Sequence, residues 1–186
     1  MLVVTLQKTL WPQVLLIVAK SKSLMPLVLL NLFLFLLIPL AQEKFLTKRL
    51  GFDRLDLHHY YKQISTGYNR SKQSYDIDYR KFEKLVKEKL NETEKGLIVD
   101  SHISHLLSKK IVDLCVVLTH SNLKNLNKRL QKRKYSKKKI RENLDAEIFQ
   151  ICLMEAKEKG HNIITFDTAT KIEGKKILSE IVRNLT

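Results

Sequence analysis

Apolar positions follow two regimes along the chain from residue 43 onward. In the first, Gly96–Asp100 (GLIVD) and Ile111–Thr119 (IVDLCVVLT) are continuous apolar runs, the pattern of strands buried on both faces of a parallel sheet, and Asn162–Asp167 (NIITFD) is another strand. In the second, apolar residues recur every three or four positions. Tyr79–Leu90 sets Phe82, Leu85, Val86 and Leu90 on one helical face. Leu123–Arg133 reads as a helix and Ser136–Lys159 as a longer one, with Ile140, Leu144, Ile148, Ile151 and Cys152 on its apolar side. Glu173–Leu185 reads as a closing helix. Earlier, Phe45–Leu50 is the end of a helix stopped by Gly51, Arg54–Leu57 a short strand, His58–Ser65 a helix, and Thr66–Asp78 a polar stretch without a period. Strands alternating with helices predict an α/β fold, three layers built around a parallel sheet, with no internal repeat.

Residues 1–42 break this rhythm. They hold only Lys8, Lys20 and Lys22 and no acid, and Leu24–Ala41 is an 18-residue apolar run with nine leucines. A helix of that length spans roughly 27 Å, close to the hydrocarbon core of a bilayer. Taken literally the run is a signal anchor flanked by Lys20 and Lys22. Pro26, Asn31 and Pro39 interrupt it, and Lys44, Lys48 and Arg49 lie on its far side, which argues against a genuine span.

The length of 186 residues allows one domain with a sizeable core and excludes a large multidomain machine. Thirty-four Lys and Arg against 19 Asp and Glu give a net charge of +15, which points to anionic partners: nucleotides, RNA or a membrane surface. Of that charge +3 falls in residues 1–42 and +12 (31 minus 19) in the remainder. Cys115 and Cys152 both sit in apolar runs and read as buried thiols in a reducing compartment. His58, His59, His102 and His105 have no Cys or carboxylate pattern around them that suits a structural zinc.

Candidate chemistry gathers at two places. GLIVD ends in Asp100 and His102 follows two residues later. In a parallel sheet ligands sit at the carboxyl ends of strands, where an acid can hold Mg²⁺ or a water beside a phosphate and a nearby His can orient or deprotonate that water. The plainer alternative is a helix-capping Asp and a surface His. The second place is Lys128–Arg141 (KRLQKRKYSKKKIR), nine basic residues in fourteen with Tyr135 among them and no acid. A solvated helix face, a phosphate-closing lid and an RNA contact each account for it.

Together these segments resemble the adenylate kinase isoenzyme 6 family. The likeness runs from about residue 44 to 185 through GLIVDSH, VVL, a late strand ending FDT, and above all the string R-x-Y-S-x-x-K-I-x-E-N-x-x-A-E-I-F from Arg133 to Phe149. The resemblance implies a P-loop kinase-like fold and an enzyme that converts ATP and AMP to two ADP with Mg²⁺, has ATPase activity, and takes part in maturing the small ribosomal subunit. It implies that Asp100 and His102 form a D-x-H motif serving Mg²⁺, water and phosphoryl transfer, that Arg133 opens a lid of about 132–142 over ATP, and that Asp53 to Tyr75 is the monophosphate-binding segment. ATP, AMP, a ribosomal protein and rRNA are the implied partners. The implied location is cytoplasmic or nuclear, the alternative being a membrane-anchored kinase-like protein held by Leu24–Ala41. Lys134, Ser108, Ile111 and Thr119 replace the family's usual Gly, Pro, Trp and Arg.

The largest departure is at the front. The family opens with a strand and a G-T-P-G-x-G-K-[ST] loop, whose backbone N–H groups cradle phosphates while its Lys reaches the β and γ oxygens. The first glycine here is Gly51, and Ile38-Pro-Leu-Ala-Gln-Glu-Lys44 stands where the loop belongs, with Lys44 in the place of the loop lysine. Those seven residues can be encoded as ATA CCC CTG GCA CAG GAA AAR. Read from the third base, the same bases give Thr-Pro-Gly-Thr-Gly-Lys. A shifted reading frame is therefore the expectation for part or all of residues 1–44, which leaves 44–186 as the kinase-like domain. A basic binding factor without catalysis is the competing reading.

Overall fold

The computed structural model describes residues 14–19, 47–69, 74–170 and 173–185. Its centre is a five-stranded sheet of β1 (Val14–Ala19), β2 (Asp53–Asp56), β5 (Gly96–Ser101), β6 (Leu114–Thr119) and β7 (Ile163–Asp167), in the order β2-β5-β1-β6-β7. A hairpin of β3 (Ser65–Asn69) and β4 (Ser74–Ile77) stands apart from it. The helices are α1 (Tyr61–Ile64), α2 (Tyr79–Glu92), α3 (Leu123–Lys132), α4 (Lys137–Ile148), α5 (Ile151–Glu158) and α6 (Gly174–Leu185).

Strand alternation divides the core in two, as a three-layer fold requires. Leu97, Val99, Cys115 and Val117 face one cluster, completed by Phe82, Leu85 and Val86 of α2 and by Cys152 and Ala156 of α5. Ile98, Leu114 and Val116 face the other, with Phe166 and with Ile177 and Ile181 of α6. Both cysteines are free and buried. The helix end at 47–50 is closed by Gly51 at φ +65, a left-handed turn that suits glycine.

The α/β layering is as predicted, and β2 with β5 and β6 with β7 pair in parallel. The central strand is not parallel. β1 runs antiparallel to both β5 and β6, with Val14 beside Ser101 and Val117, and Ala19 beside Gly96. An apolar strand fills the middle slot of the sheet, but its carboxyl end lies at the opposite edge from those of the other four strands.

Two local expectations also change. The unpatterned stretch 66–78 contains the β3–β4 hairpin, and 58–65 is a short 3₁₀ turn at Leu57–His59 followed by the single-turn α1. The long helix 136–159 is two, α4 and α5, broken where Gln150 adopts φ 51. The apolar side expected for it fails at Ile148 and Ile151, which are exposed together with Phe149 and Met154. The buried face of α4 is instead Lys139, Asn143 and Glu147. Glu147 explains the rotation: its Oε1 accepts from the His120 backbone N–H at 2.7 Å and from Gln150 Nε2 at 3.0 Å, so the helix docks by a polar stripe. Among the described residues no helix is long and apolar enough to cross a membrane, and Leu24–Ala41 lies outside them.

Candidate functional site

The parallel strands β2, β5, β6 and β7 present their carboxyl ends along one edge, and Asp100 stands near its middle. All six residues of β5 are buried, so the strand carries Asp100 and Ser101 to the edge without slack. The chain then turns sharply: Ser104 Oγ donates to the Ser101 carbonyl at 2.7 Å, and the Ile103 N–H donates to Ser101 Oγ at 3.3 Å. His102 is held on that turn.

Asp100 has a neighbour that sequence reading overlooked. In the parallel register Asp56 sits beside Asp100. Two residues earlier on the same face of β2, Arg54 turns its guanidinium onto the pair, donating from Nη2 to Asp100 Oδ2 and lying 3.6 Å from Asp56 Oδ2. The other oxygen of Asp56 accepts from the His58 backbone N–H at 3.0 Å and meets His58 Nδ1 at 2.9 Å. Burial works against the Asp56 charge. The two contacts with His58, then its charge and that of Arg54, outweigh burial and hold this carboxyl below its ordinary range. The only warning in the sequence was the alternation D-R-L-D, which places a cation two residues from an acid.

His102 is pushed down to about 3, first by loss of water around the ring and then by the charges of His105, His58 and Lys139. It is therefore neutral at pH 7. The His120 and His161 rings are also held low, chiefly by burial. Because the unfolded chain takes up these protons near pH 6.5 and the folded chain does not, the stability they support is complete above that pH. It is lost as pH falls toward the folded value. Urea unfolding is expected to show stability declining from pH 6 to pH 4, with His102→Asn making the decline shallower by about 1 kcal/mol per pH unit. An unchanged slope in the variant would show that His102 carries its proton in the folded protein.

The monophosphate-binding segment expected at Asp53 to Tyr75 forms an aromatic row leading away from this edge. His58 meets Tyr61 edge-on with centroids 5.3 Å apart, Tyr61 stacks near Tyr75 at 6.3 Å, and Tyr75 meets Tyr68 edge-on at 5.0 Å. Tyr68 is exposed at the end of the row. On the other side the lid expected at 132–142 is the α3–α4 junction. Arg133 caps the end of α3 and is exposed. Lys134, where the family has Gly, takes φ 57, a conformation that costs a residue with a Cβ about 1 kcal/mol. Of the nine basic residues in 128–141, eight are exposed and Lys139 alone is buried. Lys44 lies outside the described residues.

Asp100 and His102 thus come together at one edge, with the aromatic segment on one side and the basic helices α3 and α4 in the same domain. Among the described residues no three His, Cys, Asp or Glu side chains form a cluster able to hold a metal by themselves. Mg²⁺ keeps several waters and is bound by one or two carboxylates plus substrate phosphates. Asp100 and Asp56 are two such carboxylates, side by side. The inverted β1 does not serve this edge: its carboxyl end is at Gly96.

Comparison with known proteins agrees with this architecture. A family profile described as "AAA domain" matches residues 43–150, beginning beside Lys44. The chain is 38% identical over 142 residues to a "Putative adenylate kinase" of Methanocaldococcus jannaschii, covering 75% of each chain. It is 42% identical over 92 residues to an "Adenylate kinase isoenzyme 6 homolog" of Schizosaccharomyces pombe, about half of each chain. It is 30% identical over 139 residues to a "Putative adenylate kinase" of Pyrococcus abyssi, 75% of this chain and 73% of the relative. With its α/β sheet and strand-end acid, the chain belongs to the adenylate kinase isoenzyme 6 family of kinase-like enzymes.

Proposed function

We propose that this domain is built to transfer a phosphoryl group from ATP to AMP, giving two ADP, and that the sequence as it stands is deficient in the ATP half of the site. The observation that carries the reading is Asp100, an almost enclosed carboxylate at the carboxyl edge of the parallel strands, paired in register with Asp56 and flanked by an aromatic row that ends in the exposed Tyr68. The base of AMP would lie against Tyr68 and Tyr75, its phosphate toward Arg54. A phosphate oxygen of AMP attacks the γ-phosphorus of ATP, the bond from that phosphorus to the β–γ bridging oxygen breaks, and ADP leaves. Mg²⁺, when bound, neutralises the phosphate oxygens and aligns them. Asp100, with Asp56, would hold its waters. His102, neutral, would fix a water or a phosphate oxygen by hydrogen bonding without adding charge. Arg133 and its basic neighbours would close over the triphosphate. The chemistry asks little of the protein beyond positioning and charge neutralisation. The test is ADP formation from ATP, AMP and Mg²⁺ by the chain carrying Thr-Pro-Gly-Thr-Gly-Lys at residues 39–44. If that chain forms no ADP above the buffer rate while still binding ATP, the kinase reading fails.

A second reading has its own support. Eight exposed basic residues between Lys128 and Arg141 form a surface suited to a phosphate backbone, consistent with a cytoplasmic or nuclear factor that contacts rRNA or a protein of the small ribosomal subunit during its maturation. That reading predicts RNA binding that weakens steeply with salt, with log affinity falling by roughly 0.7 per contacted phosphate for each tenfold rise in salt. Binding should be indifferent to ATP. RNA affinity unchanged between low and high salt would remove this reading.

A further inference from the structure

We infer that Arg54 is a phosphate-operated latch on Asp100: in the absence of an anionic ligand its guanidinium occupies the carboxylate, and the phosphate of an arriving nucleoside monophosphate draws it away and opens Asp100 to a divalent cation. The inference rests on the reading of this edge as a phosphoryl-transfer site and adds to it an order of events.

Three observations on the strand ends carry it. First, the guanidinium and a divalent cation need the same atom. Arg54 Nη2 donates to Asp100 Oδ2, and with Asp100 only 8% exposed at its side chain there is little free carboxylate left for a cation to approach. Second, the pair is asymmetric. The Arg54 side chain is 31% exposed, so an incoming anion meets the cation before it meets the acid. Guanidinium groups bind phosphate bidentately and readily exchange one oxyanion for another. Third, Asp56 stays in place when Arg54 leaves. Its hydrogen bonds to the His58 backbone N–H and ring are independent of Arg54. Departure of the guanidinium would leave two adjacent carboxylates, Asp56 and Asp100, side by side in the register without the Arg54 charge. That arrangement is unfavourable alone and favourable around a divalent ion. A pair with a purely structural role would exclude the cation as well but would not admit it in response to phosphate.

The test uses Mn²⁺ as a spectroscopic probe for Mg²⁺, with free ion measured by electron paramagnetic resonance in the full chain. Binding of Mn²⁺ by the AMP present is subtracted. Removing the latch by Arg54→Gln is expected to raise Mn²⁺ affinity about tenfold, the order expected for one unit charge at contact distance in a water-like dielectric. Adding Asp100→Asn in the same chain is expected to cancel that gain. AMP, and inorganic phosphate at higher concentration, should raise Mn²⁺ affinity in the unaltered chain and leave the Arg54→Gln variant unmoved. Equal Mn²⁺ affinity in the unaltered and Arg54→Gln chains, or an equal AMP response in both, overturns the latch. A different result, Asp100→Asn without effect on Mn²⁺ in either background, instead removes Asp100 as a cation-holding group and with it the underlying reading. If Arg54→Gln does not fold, Arg54→Lys keeps the charge without the planar fork and is expected to give a smaller gain of the same sign. No gain there, with no AMP response in the unaltered chain, also overturns the proposal.

Discussion

Titrated with ATP in a calorimeter, the unaltered chain is expected to give no saturable heat up to about 1 mM nucleotide, whereas five substitutions should bring the affinity into the micromolar range. The substitutions are Pro39→Thr, Leu40→Pro, Ala41→Gly, Gln42→Thr and Glu43→Gly, which with Lys44 spell Thr-Pro-Gly-Thr-Gly-Lys. The reason is backbone geometry. Tight approach of several N–H groups to a β-phosphate requires positions without a Cβ, and residues 38–44 hold no glycine. Each charge-assisted hydrogen bond restored contributes about 1.5–3 kcal/mol, so two or three account for a gain of at least about a hundredfold. Glu43→Gly also removes an acid from beside the lysine. Micromolar ATP binding by the unaltered chain would sink the idea that the missing loop matters. The genomic DNA around codons 30–46 supplies a second, independent check. If neither of the other frames encodes a phosphate loop after a strand, the frame-shift explanation fails even where the substituted protein binds ATP.

Much of this fold was legible because it depends on periodicity. GLIVD and the run through Cys115 could be strands only if both faces were covered, and the two halves of the core alternate along β5 and β6 as that requires. What was illegible falls into two kinds. Strand direction leaves no trace in composition: VLLIVA fills the central slot equally well either way round, so the antiparallel β1 could not be read from its residues. Long-range polar contacts leave none either. Ile148, Phe149 and Ile151 look like core and are exposed, because Glu147 is recruited by the backbone of His120, 27 residues away in sequence. The site shows the same division. Asp100 and His102 declare themselves by lying at a strand end, a local fact. The Arg54–Asp100 pair joins residues 46 apart and depends on register, which emerges only when β2 and β5 are laid side by side.

The substitution Asp100→Asn separates the chemistry of that strand end from its structure. In the chain carrying the restored loop, kcat for ADP formation is expected to fall about 10²–10³-fold, the usual cost of removing one charged or hydrogen-bonding group from the transition state of a transfer reaction. The fold should survive. Asn keeps the shape, and its Oδ1 still accepts from Arg54, so the loss is one of charge in a pair whose cation is partly open to water. A change in unfolding free energy of no more than about 1–2 kcal/mol is expected. Arg54→Gln should behave differently in the same assay. Because Arg54 meets the monophosphate and leaves Asp100 before transfer, its loss should raise KM for AMP more than it lowers kcat. If Asp100→Asn turned over at the rate of its parent, Asp100 would be only the structural partner of Arg54, and the acid serving Mg²⁺ would have to be sought at Asp56, its neighbour in register. If instead Asp100→Asn lost both activity and cooperative unfolding, the pair would be holding β2 to β5. The Mn²⁺ titration of the folded single variants would then be the measurement that distinguishes a cation site from a strut.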